Sequence, residues 1–134
     1  MAEDNKNFEL KVITPDRTFF EGEVRMVEFN TTEGEIGVYK NHIPMTVVIK
    51  PGVLTITGDK VLKAALHSGF AQILQDRITI LAEVIEWPDE IDKNRAEAAR
   101  SRAEKLIAEH DAATDIARAE TALNRAMARI NVLK

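Results

Sequence analysis

The chain contains no cysteine, which removes disulfides, thiolate nucleophiles and cysteine-based zinc sites and agrees with a reducing compartment. Aromatic residues make up 5% of its 134 positions, with one Trp and one Tyr, too few for a base-stacking nucleic-acid surface. Neither charge dominates: 18 basic and 22 acidic residues leave a net charge of −4, which argues against a module held to nucleic acid by its overall charge. No stretch approaches the roughly 18 apolar residues of a membrane-spanning helix. The opening segment MAEDNKNFEL has neither the basic start nor the apolar run of a secretion signal. The expectation is a soluble chain that another protein must hold if it works at a membrane. What is present is 45% hydrophobic and 30% charged, enough for a real core in one ordinary domain or two small pieces.

Glycine and proline are absent from one part of the chain. All six glycines and all four prolines precede residue 91, and the remaining 44 residues hold 12 alanines. Charge shifts at the same place, from a net −6 over residues 1–90 to +2 over 91–134. The first part reads as strands separated by turn residues. Phe8 to Thr14 precedes a Pro15-Asp16 turn; Val24, Val27 and Phe29 share a strand; Ile36 and Val38 continue after Gly34. The segment Lys40 to Pro44 reads as a polar loop. Thr46 to Ile49 and Val53 to Thr57 flank Pro51-Gly52, where Gly52 suits the positive φ of a type II turn. Gly58-Asp59 fits a two-residue hairpin loop before Val61 to His67. Phe70 to Leu74 and Arg77 to Leu81 pair around Gln75-Asp76. Eight or more short strands at this spacing predict an antiparallel β-sandwich or flattened barrel over residues 1–87.

Residues 88–134 read as helix. Pro88, Asp89 and Asp92 suit a helix start, and Ala96, Ala99, Ala103, Leu106 and Ile107 form a narrow apolar stripe. Asp111 or Thr114 is placed to cap a second helix, whose stripe runs through Ile116, Ala119, Leu123, Ala126, Met127, Ile130 and Leu133. Two such helices with a short link predict an antiparallel hairpin. Its alanine faces allow close approach but bury little area, so closure is expected to be weak.

No catalytic pattern is present. Gly34-Glu35-Ile36-Gly37 is too short for a phosphate-cradling loop, and no Walker-type motif occurs. His42, His67 and His110 are isolated, and Ser68 lacks a nucleophile-elbow setting. Arginine placement is more informative. Arg95 and Arg102 lie seven apart, and Arg118, Arg125 and Arg129 are spaced by seven and four, each set on one helical face. Guanidinium groups from both helices can converge on a polyanion, with Glu86 and Asp92 as acceptors for an amino group. A solvated charged face with intrahelical pairs competes with that.

Several motifs together resemble the epsilon subunits of bacterial rotary F-type ATP synthases, along essentially the whole chain. The first part carries Thr32-Glu33-Gly34-Glu35-Ile36-Gly37-Val38, then His42, Pro44, Pro51-Gly52, Gly69-Phe70 and Ile80-Leu81-Ala82-Glu83. It departs at Lys40-Asn41, where relatives often have Pro-Gly, and at Ser68, where Gly is usual. Ile91-Asp92-Lys93-Asn94-Arg95-Ala96 matches the (I/L)DxxRA motif associated with ATP binding in some members. The resemblance implies a non-catalytic rotor subunit of the proton-translocating synthase, peripheral at the cytoplasmic face of the bacterial cell membrane. Its sandwich would pack on the gamma subunit and touch the membrane ring through a loop containing Glu35 and His42. Its helices would restrain ATP hydrolysis by extending into the catalytic alpha/beta hexamer. ATP, with or without magnesium, would hold them closed as a regulatory ligand: Glu86, Ile91, Asp92 and Ala96 around the adenine, Arg95, Arg102, Arg125 and Arg129 at the phosphates. Three other readings remain: a sandwich adaptor whose helices dock a partner without nucleotide, a metal enzyme using His42, His67 and Glu83, and a basic nucleic-acid arm set against the seven acidic residues it would contain.

Overall fold

The computed structural model describes residues 6–111, 113 and 115–134. Eight strands come first: β1 (Phe8–Ile13), β2 (Thr18–Val24), β3 (Met26–Thr31), β4 (Gly34–Val38), β5 (Met45–Ile49), β6 (Gly52–Thr57), β7 (Val61–Ile73) and β8 (Arg77–Glu86). A 3-10 turn (Pro88–Glu90) leads to α1 (Lys93–Glu109) and α2 (Ile116–Val132). The strands form a sandwich followed by a helical hairpin.

Hydrogen bonding runs β2-β1-β8-β7-β5-β3-β4, with β6 bridging β3 and β7. The thirteen-residue β7 serves both layers: its first half pairs with β6 and its second half with β5. The sequence divides it into two strands, because Ser68-Gly69 interrupts the alternation. Instead Gly69 forms a bulge opposite Ala82, with φ 147°, and a Cβ there would collide with the Leu81 carbonyl. Only glycine allows that approach.

Other local expectations change in related ways. Val24 and Val27 fall in different strands, parted at Arg25, whose N–H donates to the Thr57 carbonyl at 2.7 Å. The β6–β7 connection has three residues, Gly58 to Lys60, because Thr57 pairs with Val61. Gly52 does not take a positive φ; it opens β6 where a side chain would strike Asn30. One pair departs from the antiparallel pattern, since β1 and β8 run parallel. The intervening strands provide the long crossover that parallel pairing needs.

Alternation places Leu10, Val12, Val27, Phe29, Leu54 and Ile80 in the interior, each at most 1% exposed. The opposite face of three adjacent strands carries an apolar row: Val48 of β5 pairs with Phe70 of β7, which pairs with Leu81 of β8, and all three are exposed.

Each helix opens on an aspartate. Asp92 Oδ1 accepts from the Arg95 N–H and Asp115 Oδ1 from the Arg118 N–H, both at 3.1 Å, which satisfies one otherwise unpaired donor per helix. Asp111 is not the cap expected for α2; it accepts from the Ala113 N–H in the link, and Thr114 lies outside the described residues. Ala96 and Ala103 of α1 are buried, but Leu106 is 40% exposed, so that stripe covers less than its spacing suggests. The second helix buries two faces. Ala119, Ala126 and Ile130 face α1, while Ala128 and Val132 pack on Ala65 of β7 beside Val53, Ile91 and Leu133. Ala128 and Val132 are absent from the expected stripe, of which Leu133 alone joins them at Ala65.

The link between the halves is clamped. Arg17 donates to both carboxylate oxygens of Glu90 at 2.8 Å, Glu90 accepts from the Trp87 N–H, and Trp87 stacks on Phe19 with centroids 4.1 Å apart. The Arg17 bond, then the Trp87 N–H, holds the Glu90 carboxyl below the usual carboxylate range.

Candidate nucleotide site

Where α1, α2 and the end of β8 meet, a cleft of about 480 Å³ is lined by Glu86, Glu90, Ile91, Asp92, Arg95, Ala96, Ala99, Arg102 and Arg129. That volume lies within the usual range for small-molecule sites. Geometry along α1 explains its near wall: Asp92, Arg95, Ala99 and Arg102 recur at intervals of three and four and therefore share a face. The far wall is tertiary. Arg129 comes from the last turn of α2, and Glu86 from the last residue of β8.

Glu86 organises the junction. Its Oε1 accepts from Arg129 Nε at 2.7 Å and from His67 Nε2 at 2.9 Å. Burial pushes the Glu86 carboxyl up, but the bonds from Arg129 and then His67 outweigh it, and the net shift is downward. His67 is fully buried. Burial lowers its pKa, the Glu86 bond opposes this, and the Arg129 charge lowers it further.

Seven of the eight expected nucleotide residues line this cleft: Glu86, Ile91, Asp92, Arg95, Ala96, Arg102 and Arg129. Arg125 does not. It is exposed one turn before Arg129, because the residues of α2 that reach the cleft and those that meet solvent differ by a fraction of a turn. Glu90 and Ala99 were not expected. Ala99 was legible as part of the α1 stripe, whereas Glu90 gave no local signal, since its partner Arg17 lies 73 residues away. Arg118 is exposed at the far end of α2.

The arginines differ in their pairing. Arg100 and Lys105 meet Glu104 and Glu109 one turn on. Among the described residues, no carboxylate lies within ion-pair distance of Arg95 or Arg102. The competing arrangement, a charged face neutralised along the helix, therefore describes Arg100 and Lys105 but not the cleft.

Glu35 and His42 do not share a loop. Glu35 is the second residue of β4, and His42 lies beyond the other end of that strand. Glu35 instead borders a separate cleft of about 390 Å³ shared with Asn30, Gly52 and Asn124. The His42 loop turns at Asn41, whose φ of 67° is one that Asn tolerates better than most residues, at the position where the resemblance expects Gly. His42 Nδ1 is 2.8 Å from the Ile43 carbonyl, and Ser68 Oγ donates to Glu83 at 3.2 Å. With His67 bonded to Glu86, the three groups of the metal-enzyme alternative each have a different partner, and the described residues contain no His/Asp/Glu group of three suited to a metal.

Together these features define a class: a β-sandwich carrying a docked two-helix arm, with a charged cleft between them. The sandwich matches the family described as ATP synthase, Delta/Epsilon chain, beta-sandwich domain over residues 7–88, and the helices match its long alpha-helix domain over residues 89–134. The chain belongs to the ATP synthase delta/epsilon chain family, the non-catalytic central-stalk subunits of the F-type ATP synthase. It is 42% identical over 125 residues to the ATP synthase epsilon chain of Ruminiclostridium cellulolyticum, covering 92% of this chain and 93% of that one. With the epsilon chain of Caldanaerobacter subterraneus subsp. tengcongensis it shares 42% over 130 residues, covering 96% and 94%. Its fold resembles a chain in the Euglena gracilis mitochondrial ATP synthase, with a TM-score of 0.84 at 21% identity, covering 99% of this chain and 85% of that one. A chain from the central stalk and c-ring of the Tetrahymena thermophila enzyme gives 0.57 at 13%, covering 94% and 92%.

Proposed function

We propose that the chain is a rotor subunit with a nucleotide-controlled brake. Residues 1–87 couple the gamma subunit to the membrane ring, at the cytoplasmic face of a bacterial membrane, in a proton-translocating synthase. The exposed row Val48, Phe70 and Leu81 supports a docking role for the sandwich. His42, flanked by the exposed Tyr39 and Ile43, is the element assigned to the ring; Glu35, on β4, borders the separate cleft with Asn30 and Asn124. Among the described residues, no helix is long and apolar enough to cross a membrane, so attachment rests on those partners.

Residues 88–134 form the brake. Each 17-residue helix reaches roughly 26 Å, and one continuous helix of about 40 residues would reach roughly 60 Å, long enough to enter the alpha/beta hexamer and restrain hydrolysis. In the closed form ATP occupies the cleft. Glu86 and Asp92 accept from the adenine amino group beside Ile91 and Ala96, and Arg95, Arg102 and Arg129 meet the phosphates, with Arg125 an outer contributor. Arginine's planar fork suits phosphate oxygens. The observation that carries this is the pair Arg95 and Arg102, both facing the cleft and neither ion-paired to a described residue.

A small apolar junction of Ala65, Ala128 and Val132 keeps docking weak enough for a ligand to control. ATP at a hundredfold excess over its Kd would stabilise the closed form by roughly 2.7 kcal/mol, about a hundredfold in the equilibrium. Calorimetric titration of the intact chain tests the site. Arg95→Ala and Arg102→Ala should each weaken ATP at least tenfold, while Arg100→Ala should not. Unchanged affinity in both cleft variants would remove the site assignment, and absence of ATP binding in the wild type would favour the adaptor without nucleotide.

A further inference from the structure

The two halves of the molecule meet over a histidine. Along β7, Ala64 and Leu66 belong to the sandwich core, while Ala65 packs against Ala128 and Val132 of α2. His67 stands where the β7–β8 register shifts, between Leu66 and Ser68, so its bond to Glu86, which also holds Arg129, is what places the ring in that junction. His67 is thus a docking residue, neither a loop histidine nor part of the sandwich core.

Its charged neighbours come from two elements: Glu86 from β8, Arg125 and Arg129 from α2. The apolar Val53 is the contribution of β6 to the same junction. With Glu86 ionised, Nε2 is the ring nitrogen that carries hydrogen and donates. A second proton must go to Nδ1, which is buried with no hydrogen-bond partner among the described residues. There an added N–H finds no acceptor, and the cation stands in a closed junction with the Arg129 guanidinium on the same carboxylate and the Arg125 charge farther out.

We propose that His67 is a positioning residue for the helical arm, acting through Glu86 and Arg129, and that proton uptake by its ring releases α2 from the sandwich. Opening removes Arg125 and Arg129 and admits water, so the open form takes up the proton more readily. The sign follows from linkage: burial depresses the ring's pKa in the closed form from its ordinary 6.5, so the open form binds more protons at lower pH. Docking is undiminished above about pH 6.5 and weakens below it, by up to tenfold per pH unit for one proton, until the closed form is itself protonated. Glu86, held below its own ordinary value of 4.5, stays ionised through this window. The docking claim rests on the junction alone; loss of nucleotide affinity in acid rests additionally on the function proposed above.

The absence of cysteine makes site-specific labelling direct. A dye pair at Lys60→Cys and Glu120→Cys in the intact chain would report docking between pH 7.5 and 5.5, without nucleotide and with ATP. The wild type should lose docking by about tenfold in acid, and His67→Gln, which keeps an N–H for Glu86 but does not titrate, should give a flat profile. A flat wild-type profile, or an equal loss in His67→Gln, overturns the proposal. Should His67→Gln fail to dock at pH 7.5, NMR of the wild type decides: His67 protonation must coincide with the loss of α2 packing, and separate midpoints overturn it. Failure of ATP to bind at any pH would remove the nucleotide reading while leaving the nucleotide-free docking profile as the test of His67.

Discussion

Arg129 Nε donates to Glu86 Oε1 at 2.7 Å, joining groups 43 residues apart. Among the described residues it is the ion pair that ties α2 to the sandwich, and the same oxygen also meets His67. The apolar contact there is confined to Ala65, Ala128 and Val132 with the partly buried Val53, Ile91 and Leu133, so this polar tie has a large share in setting whether the arm is docked.

Arg129→Ala should leave the half-buried Glu86 without its charged partner, at a cost of about 1.5–3 kcal/mol. Hydrogen exchange in α2 should then accelerate at least tenfold, with core amides of β7 and β8 unchanged. Equal protection in variant and wild type would show the tie to be incidental. Because Glu86 is held below its ordinary 4.5, its contribution is present above that pH and fades as pH drops through the lowered value. Glu86→Gln should abolish this second acid phase.

Asp92 has two roles that substitution can separate. It caps α1 through the Arg95 N–H and brings a carboxylate to the cleft. Asp92→Ala should cost α1 about 1 kcal/mol, whereas Asp92→Ser keeps a capping oxygen. Reduced ATP affinity in both variants would reflect the carboxylate; wild-type affinity in Asp92→Ser would confine the residue to capping. Asp115→Ala should lower the stability of α2 by a similar amount in thermal unfolding followed by helicity, and Asp111→Ala should leave it unchanged.

Two glycines with positive φ should respond differently to alanine. At Gly69 a Cβ would strike the Leu81 backbone, whereas at Gly34 nothing lies within 4 Å. Gly34→Ala should cost roughly 1 kcal/mol from backbone strain alone. Gly69→Ala must also part β7 from β8, so its denaturation midpoint should fall much further. Comparable losses at both sites would mean that the bulge tolerates a side chain.

Much of this molecule was readable from local pattern. Glycine and proline end where the helices begin, and alternation between turn residues marks most strands. The α1 wall of the cleft was readable for the same reason, because residues three and four apart must share a helical face. Partnerships across long separations left no such trace. Arg17 gives no sign that it will hold Glu90, and nothing near β1 indicates a parallel neighbour 68 residues later. His67 looked isolated because its partners lie on β8 and α2, and Arg125 was grouped with Arg129 because spacing cannot tell a wall residue from one turned just past it.

The sequence by itself determined the two kinds of secondary structure, the boundary between them and the charged face of α1, since each depends on interactions within a few residues. Only the tertiary structure decided which face of α2 meets β7, that Glu86 serves both Arg129 and His67, and that Glu35 stands apart from His42. Those outcomes depend on how preformed surfaces dock, where small side chains and a few polar groups choose among arrangements of similar apolar burial.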